Sequence, residues 1–302
     1  MNNILSIGEC MVEMAPRADG AYMRGFAGDT FNAAWYLAKL MPEGATVDYF
    51  TGVGTDAVSD EMIAFMEQAG VGTACVRRVP DRTVGLYMIA LKDGERSFSY
   101  WRGQSAAKCL AADRDALAKA VKGRDLILFS GITMAVVNSE DRATLLDVLS
   151  QARAAGTTIA FDPNMRLRLW PSSTVMQETI MQAASVSDMV LPSFDEDSAV
   201  FADADPNATI ARYREAGVKT VVVKNGVDVI HAGCDVEGEL TFQPVPAENV
   251  VDTTAAGDSF NAGLIAARAG GAGLAEAIRA GASLSGRVIG ARGALVADAV
   301  SR

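Results

Sequence analysis

The sequence predicts an α/β domain in which a mainly parallel sheet is covered on both faces by helices and carries a small β-sheet lid. Three observations predict it. Short apolar runs alternate with segments of helical spacing from about residue 111 onward, a two-stranded pattern interrupts the alternation at 83–103, and a turn of very small residues opens an apolar helix at 253–258.

The first run, ILSIGE at 4–9, reads as the first strand of the sheet. MVEMAPRADGAYMRG follows it, and TVGLYMIALKDGERSFSYWRG at 83–103 reads as two strands around Asp93-Gly94, a dipeptide that favours a tight hairpin turn. The segments at about 11–26 and 83–103 together make the lid. The plain alternative is a surface β-arm for packing or dimer contact, and the two roles are compatible. DLILFSG, TIAFDPN, DMVLPSF and TVVVKNG are nearly continuous apolar runs, each preceded by a helical pattern such as SEDRATLLDVLSQARAAG. Runs of that kind are strands buried on both faces. Ligands of such sheets sit outside the carboxyl ends of the strands. The residues at those ends are Ser130 and Gly131; Asp162, Asn164 and Arg166; Ser193 and Glu196; Lys224, Asn225 and Gly226; and then VVDTTAAGDSFNAGLI at 250–265. Without a tandem repeat or a long Pro/Ser linker, residues 1–302 read as one domain.

Composition narrows the function. Half of the 302 residues are hydrophobic, enough for a substantial core, and the formal net charge of −10 argues against a general nucleic-acid binder. Neither a signal segment nor a membrane span is expected. Cys10, Cys75, Cys109 and Cys234 lie far apart with no CxxC pair, so neither a zinc site nor a disulfide framework is suggested, and a reducing cytoplasm is expected. The single histidine, His231, reads as a strand residue without a chemical role.

The turn at 253–258 carries the chemistry. The first N–H groups of a helix lack partners within it and its dipole adds partial positive charge, so anions bind there. Ala255, Ala256 and Gly257 are small enough for a phosphate to approach the main chain. Asp258 then stands out, because a carboxylate repels such an anion; it makes sense as the acceptor of a proton from a hydroxyl attacking phosphorus. Taken alone, it could equally be an acid in the first turn of a helix, where acids are favoured. The chain has no GxxxxGK[ST], no HRD or DFG set and no GxGxxG after its first strand, so a P-loop, a protein kinase and a dinucleotide-dependent dehydrogenase are all disfavoured.

DTTAAGDSF resembles the DTxGAGD signature of the ribokinase-like (PfkB) carbohydrate kinases, with Ala255 where that family more often has glycine. GFAGDTFNAA at 25–34 resembles the family's sugar-binding motif. GVGTDAVSDEM at 52–62 resembles its GxxGxDxxG segment with Ser59 in the last position. VKNGVDV at 223–229 resembles the first half of the nucleotide loop KxGxxG, and SFDE falls on the NxxE motif with Ser193 in the asparagine place. The resemblance implies a ribokinase-like three-layer α/β/α sandwich, ATP and Mg²⁺ as cofactors, and Asp258 as catalytic base. It further implies Ala255, Ala256 and Gly257 as anion hole and Glu196 at the metal. Asn164, Ser193, Lys224, Asn225, Gly226 and Gly257 would meet the nucleotide. A homo-oligomer, dimeric or larger, is expected on family grounds.

Alternation in SFSYWRG puts Tyr100 and Arg102 on one face of the lid and Trp101 on the other. A phenol beside a guanidinium suits a substrate with hydroxyls and a carboxylate, and Arg166 would add a second cation; the ordinary fate of each arginine is a surface ion pair. GECMVEM, GLYMI, SYWRGQSAAK, FDPNMRLRLW and DTTAAGDSF together resemble one branch of the family, the 2-dehydro-3-deoxygluconate kinases. That likeness implies substrate contacts from Gly28, Asp29, Asn32, Tyr87, Tyr100, Arg102, Arg166 and Asp258, and phosphorylation of the 6-hydroxyl. The alternatives are a kinase of fructose, ribose or a related sugar acid and a non-catalytic sugar-binding protein. No nucleic-acid or membrane partner is expected.

Overall fold

Apolar residues that alternate between two buried faces build the central sheet. The computed structural model describes residues 1–17, 19–92 and 95–301. The chain runs through β1 (Asn3–Ile7), β2 (Met11–Pro16), β3 (Tyr22–Ala27), α1 (Asp29–Leu40), β4 (Thr46–Phe50), β5 (Gly52–Val53), α2 (Ala57–Gln68), β6 (Arg77–Arg78), β7 (Gly85–Lys92) and β8 (Glu95–Trp101). It continues with α3 (Arg114–Val121), β9 (Leu126–Ser130), α4 (Gly131–Val136), α5 (Ser139–Ala154), β10 (Thr158–Asp162), α6 (Ser173–Ser185), β11 (Met189–Val190), α7 (Phe194–Phe201) and α8 (Pro206–Glu215). Last come β12 (Thr220–Val223), β13 (Ile230–Cys234), β14 (Gly238–Phe242), α9 (Ala256–Ala269) and α10 (Leu274–Val288).

The large sheet has the order β14-β13-β12-β11-β10-β9-β1-β4. From β12 to β4 every pairing is parallel, and β13 and β14 close one edge antiparallel. Ile4, Leu126, Leu128, Ala160 and Val222 enter the core on one face; Leu5, Ile7, Ile127, Phe129, Ile159, Phe161, Val221 and Val223 enter the core on the other. This is why the strands read as unbroken apolar runs. The chain leaves β1 toward β4 on one side and resumes at β9 on the other. The crevice for a ligand therefore opens near Glu9, just past β1, and where Ser130 and Asp162 end β9 and β10.

The lid is a four-stranded sheet of order β3-β2-β7-β8. Met11, Ala27, Tyr87 and Ile89 pack on its cavity side, while Val12 and Phe26 join the main core. Lys92 pairs with Glu95, the register expected of a tight hairpin, although the Asp93-Gly94 turn itself lies outside the described residues. Trp101 faces away from the cavity and is 59% exposed. His231 sits in β13 opposite Val223 and meets Asn207 Oδ1 through Nδ1 at 3.1 Å, and it does not line the cavity. The four cysteines are unpaired. No helix among the described residues is long and apolar enough to cross a membrane.

Candidate active site

Helix N-termini differ in how they are finished. Asp56, Asp113, Asn138, Ser172 and Asp205 cap α2, α3, α5, α6 and α8 with their side chains. The three helices that begin with Gly28, Ser193 and Ala255, namely α1, α7 and α9, have no side-chain cap, and all three of those residues line one cavity of about 860 Å³. Uncapped N–H groups and three converging dipoles make this end of the sheet receptive to anions.

Asp258 lies in the first turn of α9 at the floor of the cavity, mostly enclosed but open on its cavity side. Asn32 Nδ2 donates to its Oδ2 at 2.8 Å, and Asn32 Oδ1 accepts the Gly28 N–H at 3.3 Å. Burial, then the negative charges of Asp29 and Asp162, push the Asp258 pKa up to about 8 against the opposing pull of Asn32 and Lys224. Asp29 is shifted upward as well, chiefly by burial, and accepts from Asn164 Nδ2 at 2.9 Å. The cavity thus holds a carboxyl poised near neutrality, the range suited to proton transfer.

The turn before Asp258 is held by a residue that the sequence reading did not single out. Asp252 accepts the Thr254 N–H at 2.9 Å and the Gly293 N–H at 2.7 Å, tying the turn to the chain beyond α10. Ala255 takes a left-handed conformation, φ 59°, which strains a residue with a Cβ. Ala255→Gly is therefore expected to gain about 0.5–1 kcal/mol in denaturant unfolding with turnover unchanged. The Ala256 N–H turns back to the Thr253 carbonyl at 3.2 Å, a long bond that an incoming phosphate can replace.

Lys224 is buried rather than extended toward solvent. Its Nζ lies 3.4 Å from both Asp162 oxygens and 3.3 Å from Asn261 Oδ1, and Asn261 Nδ2 donates to Asp162 at 2.7 Å. A Cβ built on Gly257 would come 3.5 Å from Nζ, so the ammonium lies against the turn at 255–257. Asn225 and Gly226, grouped with Lys224 by sequence, do not line the cavity. The Asn225 amide donates to the Val229 carbonyl, and Gly226 supplies a turn at φ +58°.

Both arginines expected at the substrate line the cavity, and both carry carboxylate partners. Arg102 pairs with Glu9, and Arg166 pairs with Glu196. Tyr87 donates to Glu13 and stands with Phe98 and Tyr100 in an aromatic wall on the lid. Glu196 also accepts the Met165 N–H at 2.9 Å, and burial raises its pKa, with Arg166 pulling the other way. Of the two counter-ions, Glu9 lies just past β1 and Glu196 in the first turn of α7.

The chain matches the model of the pfkB family carbohydrate kinases over residues 1–298. It is 36% identical over 301 residues to the 2-dehydro-3-deoxygluconokinase of Dickeya dadantii (strain 3937), covering 97% of this chain and 96% of the relative. With the enzyme of that name from Escherichia coli (strain K12) it shares 37% identity over 299 residues, again with 97% and 96% coverage. The solved structure of a PfkB protein from Polaromonas sp. JS666 superimposes with a TM-score of 0.83 at 26% identity, covering 96% of each chain.

Proposed function

The chain belongs to the pfkB family of carbohydrate kinases, and on that footing we propose that it transfers the γ-phosphoryl group of ATP to the 6-hydroxyl of 2-dehydro-3-deoxy-D-gluconate. The observation that carries the chemistry is the carboxyl of Asp258, held by Asn32 at the mouth of an uncapped helix and titrating near neutrality. Asp258 would take the proton of the attacking hydroxyl. The N–H groups of Ala255, Ala256 and Gly257, backed by the Lys224 ammonium, would stabilise the charge on the transferring group. Tyr87, Tyr100 and Arg102 on the lid and Arg166 opposite would orient the sugar acid, while Gly28, Asp29 and Asn32 contact it from α1. The aromatic wall of the lid would help to exclude water as the site closes.

Hard oxygen donors suit Mg²⁺, and Glu196, on the cavity wall, would hold it. Among the described residues no cluster of three potential metal ligands exists, which fits an ion carried chiefly by the nucleotide phosphates. The ion would neutralise polyphosphate charge. Asn164 and Ser193, beside Glu196 at the same strand ends, would meet the nucleotide.

A kinase of a neutral sugar is the second reading, favoured by the fact that both cavity arginines are already ion-paired. ADP release with Mg-ATP separates the two when 2-dehydro-3-deoxygluconate is compared with gluconate, fructose and ribose. Strong preference for the first is expected; turnover of neutral sugars alone would overturn the carboxylate assignment. Arg166→Ala is expected to raise KM for the sugar acid about 10–100-fold and to leave any fructose turnover little changed. Arg166 is the cleaner probe because its side chain is 49% exposed, so Glu196 is not left sealed from water.

A further inference from the structure

Among the described residues, the Arg102 guanidinium has one hydrogen-bonding partner, Oε2 of Glu9, with the Tyr100 ring 5.9 Å from its carbon. Glu9 lies just past β1 of the main sheet and Arg102 follows β8 in the lid, so the pair bridges the two. The Glu9 side chain is 1% exposed and that of Arg102 12%. Oε1 of Glu9 is buried with no hydrogen-bond partner.

An arginine facing a carboxylate can form two parallel hydrogen bonds, which would satisfy both glutamate oxygens and use up one edge of the guanidinium. Here only one forms. A buried acceptor left without a donor lowers stability, and such departures concentrate at functional sites. The consequence of the single bond is that the remaining guanidinium N–H groups stay uncommitted on a residue that lines the cavity. The packing fixes this arrangement: a Cβ on Gly85 would lie 2.8 Å from Oε1 and 3.2 Å from Arg102 Cβ, so the two side chains occupy the space that a larger residue at 85 would need.

We propose that Glu9 is a positioning residue, which anchors Arg102 through one oxygen and thereby keeps the free edge of the guanidinium turned to the substrate carboxylate. The proposal rests on the sugar-acid reading above and deepens it. A mere latch between lid and sheet would serve any substrate alike, whereas a positioning role acts on carboxylated substrates alone.

Glu9→Ala is expected to raise KM for 2-dehydro-3-deoxygluconate ~10-fold or more with kcat within about threefold, and to weaken gluconate binding in calorimetry by a similar factor. Glu9→Gln, which keeps an acceptor, should restore most of both. Arg102→Ala should add little to Glu9→Ala, because the two act on one contact. In parallel, side-chain ¹⁵N NMR should show hindered rotation of the Arg102 guanidinium in the parent and in Glu9→Gln, and free rotation in Glu9→Ala. Equal KM rises for the sugar acid and for fructose, or an Arg102 signal indifferent to Glu9→Ala, would overturn the proposal. If the parent protein does not phosphorylate the sugar acid, the substrate reading falls, and the NMR comparison still decides whether Glu9 fixes Arg102. Should Glu9→Ala fail to fold, Gly85→Ala disturbs the same contact and should move the same two readouts.

Discussion

Asp258→Asn is expected to lower kcat by ~10²–10⁴-fold while leaving the protein folded and, at neutral and alkaline pH, more stable than its parent. The kinetic part follows from removing the group proposed to accept the proton while keeping its shape; asparagine can still accept the Asn32 amide hydrogen that Asp258 accepts at 2.8 Å. The stability part follows from ionisation. An aspartate in the unfolded chain titrates near 3.8, and burial beside Asp29 and Asp162 raises the folded value to about 8. Between those values the folded protein keeps a proton that the unfolded chain has released, so stability falls as pH rises from about 4 to about 8 and stays low above it. Asparagine carries no such penalty. Its advantage should be absent near pH 4 and complete above pH 8, reaching a few kcal/mol once the coupling among the three acids and the open side of the cavity are allowed for. The same ionisation should place the acidic limb of kcat/KM near pH 8 in the parent. Thermal unfolding from pH 4 to 9 and turnover at pH 8 check both parts. Near-parental turnover would remove Asp258 from the chemistry, and a gain in stability independent of pH would remove burial as its cause.

Ala255 and Lys224 show where the sequence stops being legible. The turn before Asp258 could be read because small residues, a helix start and an acid are adjacent in the chain, and the parallel strands because burial on both faces leaves an unbroken apolar run. The left-handed backbone of Ala255 could not: sequence places an alanine there as readily as a glycine, and only the fold demands φ 59°. The KNG setting of Lys224 marks a nucleotide contact, and Lys224 does line the cavity, but that setting does not carry its burial. Its burial depends on Asp162 and Asn261, which arrive from elements 62 and 37 residues away, and no periodicity encodes such a meeting. The arginines are a case between. Their placement at the cavity was legible from alternation and strand ends, but their glutamate partners were not, since Glu9 and Arg102 stand 93 residues apart. The β13–β14 edge was only half read, because Gly238–Phe242 is largely solvated and lacks the apolar continuity of the inner strands.

Gly28→Ala is expected to reduce kcat/KM on the order of 10²-fold and to destabilise the protein by about 1–3 kcal/mol. The glycine is needed for space, since its φ of 176° is extended backbone that any residue adopts. A Cβ there would lie 2.1 Å from the Glu9 carbonyl oxygen and 3.3 Å from Cys10 Cα, and main-chain atoms cannot yield by changing rotamer. The link between β1 and β2 and the start of α1 must therefore move apart. Each partner of that contact leads to the chemistry by a separate route: Gly28 donates its N–H to Asn32, which holds Asp258, and Glu9 holds Arg102. One added methyl group should thus misplace the base and the substrate cation together. Gly25→Ala is the matched control, because the nearest atom to its Cβ would be 3.9 Å away, an ordinary contact. Unfolding midpoints and kcat/KM for the two variants decide the point. If Gly28→Ala behaved like Gly25→Ala, the close approach of α1 to the link between β1 and β2 would not be what aligns Asp258 with the lid, and the coupling through Asn32 and Glu9 would have to be abandoned.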